Sequence, residues 1–207
     1  MIYEVRTYRL KPRAAPGFIE AFGAAYEGHR KNFSPLAAFF YTDIGPLNQV
    51  IHIWPYEDAA HRASVRAESA APGKWPPQAP EKPVSMQSEI FTPLPFLGDF
   101  ASGNVGPIFE WRSYTVTPGL MPGVMEGWEA AIEARTKLSP LVMAMHTDVG
   151  ELNKFVHIWG YESLAHRQEV RDEAMKTGIW PPSGSPKGAY TAQENKIVLA
   201  APFSPLQ

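Results

Sequence analysis

The sequence contains no cysteine. Disulfides, thiolate nucleophiles and cysteine-ligated metals are therefore excluded, which fits a reducing compartment. No apolar run approaches the ~20 residues that a membrane-spanning helix needs. An excess of charge of one sign is lacking too: 19 Lys and Arg against 21 Asp and Glu leave a net charge of -2. No bulk basic field is available to gather nucleic acid or anionic lipid. There is no His-Glu-x-x-His, no carboxylate set at ligand spacing, no Gly-rich loop following a strand and no Gly-x-Ser-x-Gly elbow. The sequence thus calls for no metal and no cofactor. A strand pattern begins at Ile2, leaving no room for a signal peptide, and the expected location is cytoplasmic.

What is present is repetition. Thr42-Asp43-Ile44-Gly45-Pro46-Leu47-Asn48-Gln49-Val50-Ile51-His52-Ile53-Trp54 returns as Thr147-Asp148-Val149-Gly150-Glu151-Leu152-Asn153-Lys154-Phe155-Val156-His157-Ile158-Trp159, with eight of thirteen positions identical. Ile2 to Tyr8 matches Ile108 to Tyr114, and Trp75-Pro76-Pro77 matches Trp180-Pro181-Pro182. The offset is 106 residues in the first strand and 105 from Ser34 onward. A period of this length marks a duplicated domain rather than a short-repeat solenoid. The expected modules are residues 1–97 and 107–207, joined by a linker rich in Gly, Ser and Asn.

Within one module, alternation over residues 2–10 predicts a strand. Pro16-Gly17 opens a helix to about residue 32. Residues 36–44 and 47–54 read as two strands around a Gly45-Pro46 turn, with Pro55 stopping the second. Glu57 to about Ala70 reads as a second helix, and 84–91 as a fourth strand. The order β-α-β-β-α-β is the ferredoxin-like arrangement. The fold class expected is α+β: two tandem ferredoxin-like modules packed sheet to sheet.

Tyr3-Glu4-x-Arg6-x-Tyr8, the Asn48-x-x-x-His52-x-Trp54-x-Tyr56 block and the Arg62/Arg66 helix together resemble the NIPSNAP family, across both halves of the chain. The resemblance implies modules that pair into a dimeric α+β barrel, here within one chain. It implies no settled biochemical activity.

Side chains alternate between the faces of a strand. The aliphatic Ile51 and Ile53 row suits the helix-covered face. That assignment sends Asn48, His52 and Trp54, with Glu4, Arg6 and Tyr8, to the open face, where the second module would meet them. Asn153, His157, Trp159, Glu110, Arg112 and Tyr114 repeat the row. A small-molecule cavity between the sheets follows. In it Arg6 and Arg112 would hold an oxyanion and His52 and His157 would move a proton, giving metal-free isomerase or oxygenase chemistry. Glu4, Glu110, Tyr8, Tyr114, Asn48, Asn153, Trp54 and Trp159 would line it. The competing reading is a non-catalytic interaction module whose polar row fixes the register of the two halves. Arg62 and Arg66 read as a solvated helix face pairing with Glu57 or Glu68. Trp75-Pro76-Pro77 reads as a plug at the helix-to-strand crossover, with a lid as the alternative. The expected partner is a small molecule; nucleic acid and membrane are not expected, and a homo-oligomer stays open.

Overall fold

The computed structural model describes residues 1–207. The first half runs β1 (Ile2–Arg9), α1 (Ala15–Gly28), β2 (Ala38–Ile44), β3 (Gln49–Tyr56), α2 (Ala59–Ser69) and β4 (Ser85–Pro93). A 3-10 turn at Arg30–Asn32 follows α1. The second half repeats the order as β5 (Ile108–Val116), α3 (Met121–Thr136), β6 (Leu141–Val149), β7 (Lys154–Tyr161), α4 (Leu164–Lys176) and β8 (Tyr190–Ala200). The eight strands close into one antiparallel barrel in the order β1-β3-β2-β8-β5-β7-β6-β4. Two seams join the halves: β2 pairs with β8 and β4 pairs with β6.

The elements form where the sequence places them, with local differences. Pro55 does not stop β3, which continues to Tyr56. The β2 ladder pairs only as far as Ile53, so Pro55 lies on an open flank, where a missing N–H is tolerated. Asp58 caps α2 by accepting from the His61 backbone N–H at 2.8 Å. His61 Nδ1 in turn accepts from the Glu57 N–H. Ser163 and His166 do the same for α4, a reciprocal cap with histidine in the usual Glu position. The duplicated Gly and Asn are turn residues. Gly45 and Gly150 have φ of +120° and +131°, and Asn48 and Asn153 both have φ of 59°, a region that Gly and Asn tolerate best.

Side-chain direction overturns the expected face assignment. The barrel interior takes Tyr3, Val5, Ile51, Ile53, Phe109, Trp111, Val156 and Ile158. Val50, Trp54 and Tyr56 pack outward against Phe18, Phe22 and Tyr26 of α1 and Val65 of α2. Phe155, Trp159 and Tyr161 meet Val124 and Trp128 of α3 and Val170 of α4 in the same way. The aliphatic rows from both sheets meet in the middle of the barrel, away from water, where apolar burial stabilises most. The second helix of each half is too polar to seal its own face. It buries only Val65 and Ser69 in α2, and Val170 and Ala174 in α4. The polar rows therefore lie outside the barrel, beneath the helices, and not between the sheets.

Candidate functional site

The site is built on β1 and β3. Their register sets Glu4 opposite Trp54, Arg6 opposite His52 and Tyr8 opposite Val50. The same pairs recur on β5 and β7 as Glu110 with Trp159, Arg112 with His157 and Tyr114 with Phe155.

Glu4 is fully buried, and its Oε1 accepts from Arg6 Nη1, Arg62 Nη2 and Ser88 Oγ, each at 2.7 Å. Arg66 Nη1 lies 3.6 Å away. Burial alone would raise this carboxyl; the hydrogen bonds from Arg62 and Ser88 and the Arg6 charge outweigh it and bring it down to about 2. Arg6 Nε also donates to the Tyr8 hydroxyl at 2.8 Å. Glu110 is built alike, with Arg112, Arg167 and Asn195 donating to its Oε1. It too is lowered, burial being outweighed by Arg167 and Arg112. Arg62 is thus drawn toward a buried carboxylate rather than paired with Glu57 or Glu68, while Arg66 stays exposed on the helix and faces the same carboxylate from 3.6 Å.

Above this cluster sits His52, 1% exposed. Its Nδ1 accepts from Trp54 Nε1 at 2.6 Å. An indole N–H only donates, so Nδ1 must be unprotonated and the proton sits on Nε2. Burial first, then the Arg6 charge, holds the imidazole well below its usual range. The Nε2–H has no protein partner. His157 repeats every feature: Trp159 donates to Nδ1 at 2.7 Å, Nε2 is unpartnered, and burial and Arg112 depress the group. Each ring thus presents an Nε2–H donor with its Nδ1 taken by the neighbouring tryptophan.

Sequence reasoning missed Arg30. It is 2% exposed, donates to the Tyr56 hydroxyl at 3.0 Å and lies 4.4 Å from the Trp54 ring centroid. Arg135 repeats it with Tyr161 at 3.2 Å and the Trp159 ring at 4.0 Å. The repeat of Arg30 as Arg135 at an offset of 105 was the available signal.

Around His52 lies a cavity of about 480 Å³, with His52, Arg6, Arg30, Arg66, Tyr8, Trp54, Phe22 and Trp75 among its walls. Trp75 packs 5.3 Å from Phe22 and 6.0 Å from Trp54, so the Trp-Pro-Pro loop is a wall of this space. The matching cavity around His157 is about 210 Å³. The structure brings together His52, Arg6, Glu4, Tyr8 and Trp54, and likewise His157, Arg112, Glu110, Tyr114 and Trp159. It does not bring in Asn48 or Asn153. These sit in the hairpins, where their carbonyls accept from Leu10 and Val116 N–H at 2.8 Å each.

A closed barrel of two ferredoxin-like modules, each with its own helix-covered cleft, defines the chain as an α+β barrel of the dimeric type in single-chain form. The chain belongs to the NIPSNAP family: the family's profile matches residues 3–97 and again 109–205. It is similar to human protein NipSnap homolog 3B, 29% identical over 212 residues that cover 99% of this chain and 85% of that protein. The Dictyostelium discoideum NipSnap homolog is 27% identical over 86% of this chain and 78% of that protein. In fold alone, a monooxygenase-like protein of Lactobacillus acidophilus superposes with a TM-score of 0.64 at 9% identity, covering 97% of this chain and 93% of that one. No helix is long and apolar enough to cross a membrane.

Proposed function

We propose that the chain binds a small aromatic or otherwise apolar carboxylate in the cleft between β1, β3 and the helices of its first half. One observation carries this reading: the buried Nε2–H of His52 has no partner and borders a cavity walled by Arg6, Arg30 and Arg66. A buried donor without an acceptor costs about 1–3 kcal/mol, and a ligand oxygen would remove that cost. The remaining polar groups at the cavity are mostly donors, and Glu4 is not one of its walls, so the complementary ligand is an acceptor. Phe18, Phe22, Trp54 and Trp75 supply the apolar walls, as small-molecule sites require.

The reading is of binding rather than proton abstraction. A base would need a free lone pair near neutral pH. His52 has given its lone pair to Trp54, and Glu4, whose Oε2 is unpartnered, is held down at about 2 and so is a weak base. Any chemistry would use these donors to stabilise an oxyanion.

The test is a titration with benzoate and phenylacetate, followed by nitrogen-15 NMR of the imidazoles. Binding at this cleft shifts the His52 Nε2 resonance and leaves His157 unmoved. If neither carboxylate perturbs His52 at millimolar concentration, the reading fails.

A further inference from the structure

Inside the barrel, at the end where the β2–β3 and β6–β7 hairpins turn, lies a separate cavity of about 200 Å³. Its walls come from both halves, and it shares no residue with the cleft at His52. Two amines enter it. Lys154 is neutralised: its Nζ lies 2.9 and 3.1 Å from the two oxygens of Glu89 and 2.9 Å from Glu151. Lys196 has no carboxylate within ion-pair distance. Its Nζ meets only the Gln49 side-chain oxygen at 3.3 Å and the face of Trp111 at 5.4 Å.

The duplication explains the difference. Lys154 aligns with Gln49, and Lys196 aligns with Glu89. Across the barrel, one seam therefore carries a Lys–Glu pair, and the matching pair at the other seam is Gln49 with Lys196. We propose that Lys196 is a reactive amine that takes a small uncharged aldehyde or ketone in this cavity as an imine. Burial first, and then the Lys154 charge, lower the Lys196 ammonium to about 8 against the opposing pull of Glu194 and Glu89, so a substantial neutral fraction is present near neutral pH. The amine lone pair adds to the carbonyl carbon. The carbinolamine then loses its hydroxyl as water, taking up the proton that nitrogen gives up, and a C=N bond remains with no net oxidation or reduction. Glu194, two residues back on the same strand face, lines the same cavity as Lys196. Glu89, Glu151 and Glu194 line the same space, so an anionic carbonyl compound is disfavoured.

The experiment is reductive alkylation of the full chain with propanal and cyanoborohydride at pH 8, with peptide mass mapping of its nine lysines. Lys196 is expected to be modified at least about tenfold faster than exposed lysines such as Lys74 and Lys137, each unit of lowered pKa giving about tenfold more free amine. Its rate saturates with propanal concentration, and glyoxylate reacts more slowly. Gln49→Glu, which supplies the partner that Lys154 already has, lowers the Lys196 rate about tenfold or more while leaving the other lysines unchanged. Labelling that follows exposure alone, a rate linear in propanal, or an unaltered rate in Gln49→Glu overturns the proposal.

Discussion

The clefts of the two halves share their polar machinery except that Asn195 stands for Ser88, yet the first encloses about 480 Å³ and the second about 210 Å³. The buried carboxylate, its arginines, the Trp-locked histidine and the arginine stacked on tryptophan all recur. What differs is the surrounding bulk. Trp128 stands where Phe22 does, Tyr190 where Pro83 does and Met175 where Ala70 does. Trp128 packs 4.7 Å from His157 and Tyr190 5.1 Å from Tyr114. The polar cluster is therefore a shared structural device that holds sheet to helix, and the space beside it is what differs between the halves.

The largest effect expected comes from breaking what the halves share. Glu4→Gln strands Arg6 and Arg62 beside a neutral amide and should cost about 3–5 kcal/mol, as removing one member of a buried ion pair does. Glu110→Gln should cost about as much, measured by urea unfolding; a loss confined to one half would show that the clusters are not equivalent. Next is the space itself. Ala70→Met, at the exposed cleft mouth, should weaken benzoate binding about tenfold with little change in melting temperature, while Met175→Ala should begin to admit ligand to the second half; calorimetric titration reads both, the first being about 1.4 kcal/mol.

Acid should test the shared carboxylates. The folded pKa of Glu4, about 2, lies below its ordinary 4.5. The unfolded chain therefore binds the proton first, and stability held above pH 4.5 is lost as pH falls toward 2. Glu4→Gln should flatten that slope. Lys196 has a dependence of the same sign in a higher window: its folded value of about 8 lies below 10.5, so stability rises between pH 8 and 10.5, where the unfolded chain holds the extra proton. Lys196→Met should remove that rise. The smallest effect concerns the tautomer lock. Trp54→Phe should free His52 Nδ1 and give a mixture of tautomers by nitrogen-15 NMR, with His157 unchanged; a pure Nε2–H form in the variant would show that Trp54 does not set it.

The fold was legible because the duplicated turn residues carry it. Gly45 with Pro46 marks a hairpin, Pro16 and Pro122 mark helix starts, and two strand periods of two frame them, whereas Asn48 and Asn153 read as strand residues and prove to belong to the turns. The members of the site were legible too, since Glu4, Arg6, His52 and Trp54 alternate in step. Their orientation was not. Alternation says which residues share a face but not which face the helices cover, and the aliphatic row went to the barrel because closure leaves that side drier than the helix side. Arg30 was hidden for a related reason: its burial depends on Tyr56 and Trp54, which the chain brings near only after the sheet forms. The roles of the two histidines needed the Trp54 and Trp159 contacts, since spacing alone cannot say which ring nitrogen carries a proton.

The seams bear on how the molecule comes apart. Because β4 is laddered to β6 and β8 to β2, neither half's four-stranded sheet keeps a free edge. Heat should release both in one calorimetric peak, and an occupant of the first cleft should hold together a second half it never touches.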